Sequence, residues 1–355
     1  MSLNPLPLSI SRTGGCTLTG ALSVTTGIND SVTIIHGPAG CAHHNFSLLH
    51  ATILDNDCHI IPKVMSSGMS EHDVIFGGEE ALMRSIMEVS SGDPGIIFVL
   101  STCITETIGD DVLAVTQNAG VPVCMVPTGG FLGGDFEKGF SSALIAVSNL
   151  ALPVHPTPGC NQQVRGSVNL IGEKNLEYEV EQNFMEVKRL VSLLDLTINL
   201  RFAHNITRSD INRLPLASLN ILREPALSGV GDHLQSMFGT PYISSFPLGI
   251  SGTLSFIRNV AVRSGLSPDE ALDSEKEHQE EIFEGFSDLR EALVRLTIPA
   301  ENPEYPLITE ISRAIGLRES PDGTVLPVPY PFPVGTSGIK RMLHLWRRTL
   351  ICRAA

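Results

Sequence analysis

Three cysteines in glycine-rich settings are the residues of this chain best suited to metal chemistry: Cys16 in RTGGCTLTG, Cys41 in HGPAGC and Cys103 in STCITETIGDD. Iron is held by thiolates. Glycine turns let the backbone approach a bulky ligand, and helix starts supply N–H groups that stabilise thiolate and sulfide charge. The chain has seven cysteines, an odd number, with no CxxC pair. That argues against a disulfide scaffold and against a structural zinc site with closely paired ligands. Two readings remain for any one of these thiols: a small buried hydrophobe, or one member of a cluster assembled from distant parts of the chain. For Cys58, Cys124, Cys160 and Cys352 the buried reading is kept, Cys124 lying within a strand.

Other polar residues flank these turns. His36 precedes HGPAGC and is read as orienting it by hydrogen bonding. His43 and His44 follow Cys41, where surface or supporting roles fit them. Glu106, Asp110 and Asp111 follow Cys103, and acids at a helix start are explained by capping and by the helix dipole. No catalytic residue is assigned. GxxxxGK[ST] is absent from the sequence, so no P-loop and no ATPase activity is read from it, and no organic cofactor-binding residue is assigned.

The elements that must carry the cysteines alternate short apolar strands with amphipathic stretches, the βαβ pattern of a doubly wound parallel sheet. Ser31 to His36, Gly95 to Ser101 and Val121 to Pro127 read as strands, so that Cys41 and Cys103 fall in loops at strand carboxyl ends, where open α/β sheets gather functional groups. Helices are predicted over 79–89, 110–118 and 136–150. Pro153, Pro156 and Pro158 mark a linker. A second α/β unit follows, with strands at 168–171, 197–202, 219–222 and 242–246 and helices near 180–194, 232–238 and 252–263. Ser267 to Leu296 reads as one long helix with Glu275 to Glu284 as its solvated face, and a further helix is expected at 307–315. The expected domains are 1–155, 156–265 and a helical, shortened 266–355, giving an α/β protein of repeated Rossmann-like doubly wound parallel-sheet domains.

The 355 residues carry a net charge of −14, against a nucleic-acid partner, which needs a basic face. Lys340, Arg341, Arg347 and Arg348 read as a solvated helix face or contact patch. There is no apolar run long enough to span a bilayer and no secretory signal pattern, so a cytoplasmic protein without membrane association is expected.

The ordered motifs RTGGC, IIHGPAGC and STCITETIGDD resemble the N-terminal domain of nitrogenase component 1 type oxidoreductases. EHDVIFGGEEALMRSIMEV and VPTGGFLGGDFEKGF are similar to stretches of the same family, and the match is strongest over residues 10 to 150. VNLIGEKN and PYISSFPLGISGTLSFIRNV resemble its second domain less specifically. The resemblance implies that Cys16, Cys41 and Cys103 bind an iron–sulfur cluster, [4Fe-4S] or larger, at an interface with a homologous subunit, in a homodimer or a heteromer. It also implies a separate ATP-dependent iron–sulfur reductase as electron donor.

Two departures bear on substrate. LNILRE puts Glu224 where nitrogen-reducing members carry a cofactor cysteine, and GGFLGGDF lacks the histidine of the segment after the third cysteine. Dinitrogen reduction is therefore not expected. MLHLWRR resembles a His-x-Trp segment in which His344 would be a ligand, although a histidine on a partly apolar helix is more often structural. The expectation is a nitrogenase-like reductase subunit for an unsaturated organic substrate, with a tetrapyrrole the leading class. The compact length is similar to that of nickel-tetrapyrrole reductive cyclases. The alternative is a non-catalytic scaffold for assembling a metal cofactor.

Overall fold

The computed structural model describes residues 15–56, 61–131, 133–152, 164–296 and 298–354. Cys58, Cys160 and the prolines at 153, 156 and 158 lie outside them. The described residues up to Tyr178, with Ile198–Ser244, form one compact unit; Glu179–Thr197 and the residues from Ser245 onward form another.

The first unit opens with α1 (Thr17–Thr25), β1 (Ser31–His36), α2 (Ala39–Asp55), β2 (Lys63–Ser66), α3 (Glu71–Phe76) and α4 (Glu79–Ser90). It continues through β3 (Ile96–Ser101), α5 (Cys103–Ile108), α6 (Val112–Gln117), β4 (Val123–Pro127), α7 (Phe136–Ser148) and β5 (Val164–Ile171). The chain then leaves the unit for α8 (Val180–Ser192) and returns with β6 (Thr197–Phe202), β7 (Ala217–Leu222), α9 (Ser228–Phe238) and β8 (Tyr242–Ile243). One sheet has the order β2-β1-β3-β4 and a second the order β6-β5-β7-β8. β1 pairs in parallel with β2 and β3, β3 with β4, and β7 with β5 and β8.

Strands β1 (SVTIIH) and β3 (IIFVLS) are buried along their whole length, as expected for central parallel strands with helices on both faces. Their Val, Ile and Phe side chains supply much of the core. Helix starts are fixed locally. Ser70 and Asp73 form a reciprocal capping box on α3, and the carboxylates of Asp111 and Asp135 accept backbone N–H groups at the starts of α6 and α7.

The second unit contains α8, then α10 (Ile250–Ser264), α11 (Asp269–Glu284), β9 (Leu293–Leu296), α12 (Tyr305–Ala314), β10 (Arg318–Glu319), β11 (Thr324–Leu326) and α13 (Gly335–Ala354). Its sheet, in the order β10-β9-β11, is parallel. Trp346 is fully buried in its core and donates its indole N–H to the Pro327 carbonyl at 2.8 Å.

Two expectations are corrected here. The helix read over Ser267–Leu296 ends at Glu284; Gly285 and a 3-10 turn at Ser287–Leu289 lead into β9, so the third part is not purely helical. The stretch read as solvated also has a buried side. Glu275 is fully buried and receives Arg189 Nη1 at 2.8 Å, while Gln279 is buried against Thr336. An acidic run conceals such a face when its cation comes from 86 residues away. In the basic cluster, Arg341 pairs with Glu179, and Arg347 pairs with Asp288 and lies 4.2 Å over the Phe286 ring.

Candidate functional site

Cys16 owes its place to an unusually close helix crossing. α1 is buried all round and lies directly on α7. A Cβ at Gly20 would come within 2.0 Å of the Phe136 carbonyl oxygen, and one at Gly139 within 1.9 Å of the Thr17 carbonyl oxygen. Glycine at both points lets the two backbones touch. Cys16 is the N-cap of α1 and is exposed. Its neighbour Thr17 donates its hydroxyl proton to the Thr128 carbonyl, tying the start of α1 to the segment after β4.

That segment is fastened to the Cys103 loop. Glu106 accepts the Ser101 hydroxyl at 2.8 Å and the Gly129 N–H at 2.9 Å, and the Gly130 N–H donates to Cys103 Sγ at 3.1 Å. Cys103 is the first residue of α5, and Cys41 the third of α2; both are half-buried. Cys41 packs against the main apolar core, and its carbonyl accepts the Asn45 side-chain amide at 2.8 Å. All three cysteines therefore sit at helix starts, Cys41 and Cys103 at the carboxyl edge of the first sheet.

Cys41 lies close enough to Cys16 and Cys103 to sense the charge of each. Burial, and then the neighbouring Cys16 and Cys103 thiolates, push the Cys41 thiol up. Among the described residues no three His, Cys, Asp or Glu side chains converge where one metal ion would bind. Of the other cysteines, Cys124 lies in β4 with its thiol pushed up to about 11 by burial, whereas Cys352, expected to be buried, is exposed on α13, a correction to the sequence reading. His43 and His44 are exposed on α2. His344 is exposed, its ring edge-to-face with Phe286 at a centroid separation of 4.9 Å.

His36 and Asp110 emerge as a pair that local reading does not reveal. The His36 ring is fully buried, with Nδ1 2.9 Å from Ser67 Oγ and Nε2 3.2 Å from Asp110 Oδ2. Asp111 does cap α6, as read, but Asp110 turns instead toward His36 and the Gly78 N–H. The two residues are 74 apart in sequence, and the only local signal was the position of His36 at a strand end.

A second charged group lies at the carboxyl ends of β5 and β7. Lys174 is nearly buried, and its ammonium stands 2.7 Å from Glu137 and 2.8 Å from Glu224. Burial alone would lower the Lys174 pKa, but Glu224, Glu177 and Glu137 outweigh it and the net shift is upward. Burial, with repulsion from Glu224, holds Glu137 above the ordinary carboxylate range despite Lys174. Glu173 takes a two-pronged contact from Arg201, both bonds at 2.9 Å. Glu224 is thus engaged in an ion pair.

This is an α/β protein of repeated parallel sheets, with Cys41 and Cys103 at the carboxyl edge of the first and Cys16 at the start of α1. The family description for nitrogenase component 1 type oxidoreductases matches residues 16–298, and the chain belongs to that family. It is 31% identical over 272 residues to the nitrogenase iron-molybdenum cofactor biosynthesis protein NifE of Nostoc sp., covering 74% of this chain and 54% of that one. It is 26% identical over 257 residues to the nitrogenase molybdenum-iron protein alpha chain of Clostridium pasteurianum, covering 70% and 47%. The chain thus spans about half the length of these relatives. The solved structure of nitrogenase Cp1 at pH 5 superposes with a TM-score of 0.65 over 90% of this chain and 65% of that one, at 21% identity, a likeness of fold. Among the described residues no helix is long and apolar enough to cross a membrane.

Proposed function

We propose that the chain is the cluster-carrying subunit of a nitrogenase-like reductase. It would accept electrons from a separate ATP-dependent iron–sulfur reductase and deliver them to an unsaturated organic substrate, with a tetrapyrrole as the substrate class. The observation that carries this reading is the grouping of Cys16, Cys41 and Cys103 at three helix starts, with the Gly130 N–H bonded to Cys103 Sγ. The donor set fits an iron–sulfur cluster: thiolate sulfur, a backbone N–H directed at sulfur, and a position partly screened from solvent. Thiolates on different irons of a cluster stand farther apart than ligands of one tetrahedral ion, which suits three thiols that do not meet at a point. A cluster so held would take up and release electrons one at a time.

The chain's own part is to hold and tune. Cys103 receives the Gly130 N–H, Cys41 is half-buried against the apolar core, and Cys16 is left exposed. The exposed corner suits ligation shared with a homologous subunit, a second copy or a related chain. The Lys174–Glu224 pair argues against a cofactor thiolate's substitute at Glu224 and so against dinitrogen as substrate.

The second reading is a scaffold on which a metal cofactor is built and released. It is favoured by the likeness to a cofactor biosynthesis protein. Anaerobic reconstitution followed by iron and sulfide quantitation and EPR of the reduced chain tests the cluster, with Cys103→Ala expected to lose most of the iron and the signal. Absence of iron from the unaltered chain, with its partner present, would overturn both readings. Turnover of a tetrapyrrole with an ATP-dependent donor separates the reductase from the scaffold.

A further inference from the structure

We propose that His36, fixed between Ser67 and Asp110, is a positioning residue that holds the Cys41 turn against the Cys103 helix start, so that the two thiolates meet a cluster in one set geometry. This rests on the three-cysteine reading above. The proton positions follow from the partners. Asp110 Oδ2 is a carboxylate oxygen, so His36 Nε2 must carry the hydrogen that bridges their 3.2 Å contact. The ring is neutral in its buried setting, which leaves Nδ1 as acceptor. Ser67 Oγ, 2.9 Å away, donates to it and itself accepts the Gly37 N–H at 3.1 Å. Asp110 also accepts the Gly78 N–H, at 3.0 and 3.1 Å from its two oxygens. Every polar group in this chain of contacts is satisfied.

The segments joined are those that present the thiols. Gly37 opens the turn that leads to Cys41, and Asp110 follows the helix that begins at Cys103. The His36 carbonyl accepts the N–H of Thr102, the residue before Cys103, at 3.1 Å. At Gly37 the two segments touch: a Cβ there would stand 2.2 Å from Thr102 Oγ1. One imidazole thus ties the end of β1, the residue after β2, the approach to α4 and the loop after α5. Groups bonded directly to metal ligands are worth about 10- to 100-fold in metal affinity, and His36, which acts through the backbone that carries the cysteines, belongs at the lower end.

The test uses the full chain, reconstituted anaerobically with ferrous iron and sulfide, as Ser67→Ala, Asp110→Asn and Ser67→Thr. The half-life of bound iron against a chelator is expected to fall about tenfold in the first two, with an altered EPR line shape in the reduced state. Ser67→Thr, which keeps the hydroxyl, is expected to restore both. Circular dichroism of the apo-chains checks folding. Should Asp110→Asn not fold, the decision passes to Ser67→Ala, which removes one half-buried hydroxyl outside any helix. Unchanged iron retention and EPR in the folded variants would overturn the positioning role and leave the three-cysteine reading standing. Failure of the unaltered chain to take up any cluster, with its partner present, would sink both.

Discussion

The Lys174 ammonium stands 2.8 Å from the Glu224 carboxylate, joining the loop after β5 to the residues after β7. It also stands 2.7 Å from Glu137, near the start of α7. Removing the cation leaves two partly buried carboxylates facing each other. Lys174→Met is therefore expected to destabilise the chain by about 3 kcal/mol, the lower end for a broken buried pair because both carboxylates keep some solvent contact. Glu224→Gln retains the Lys174–Glu137 pair and should cost roughly 1 kcal/mol. Urea denaturation of the apo-chain measures both, and equal losses would count against this account.

The α1–α7 crossing makes a sharper prediction. Gly139→Ala would drive a methyl group to 1.9 Å from the Thr17 carbonyl oxygen, so the helices must part. We expect a cost of about 3 kcal/mol, together with reduced iron uptake because Cys16 begins the displaced helix. Gly229 in α9 has open space at its Cβ position and an ordinary helical backbone. Gly229→Ala is the matched control and should stabilise by about 0.5–1 kcal/mol.

His36 gives the fold an acid-sensitive limb. Burial lowers its pKa below the ordinary 6.5, although Asp110, Asp73 and Glu79 all pull the other way. The unfolded chain therefore binds a proton near pH 6.5 that the folded chain refuses. Stability should fall as the pH drops below about 6.5 and stop falling, for this group, once the depressed folded value is reached. Urea midpoints at pH 7.5, 6.5 and 5.5 test this: in His36→Gln that part of the decline should vanish.

Cysteine reactivity should follow position in the fold. The Cys124 thiol, pushed up to about 11, carries roughly 100-fold less thiolate at pH 8 than an ordinary cysteine. In the apo-chain iodoacetamide should modify the exposed Cys16 and Cys352 well before Cys124, as mass spectrometry of timed digests would show. Early labelling of Cys124 would mean that β4 opens readily.

Much of this architecture was legible because its causes are local. SVTIIH and GIIFVLS are continuous β-branched and apolar runs that only a buried strand accommodates, and the glycines after SVTIIH mark its turn. The cysteine motifs carried the family likeness by themselves. The run from Ser267 shows the limit: acidic residues every few positions read as a solvated helix face, and nothing nearby indicates that Arg189 will bury Glu275. Likewise Asp110 reads as one more acid beside a helix start, although its carboxylate belongs to a histidine at the end of β1.

Strand and helix identity, glycine turns and the three thiol-bearing motifs were set by neighbours within a few residues, where backbone propensity and side-chain period act. The contact of α1 with α7, the His36–Asp110 bridge and the pairing of Lys174 with Glu224 were decided only by tertiary structure. Each joins segments far apart along the chain, and a buried charge or a missing Cβ takes its meaning only from the group that folding brings against it.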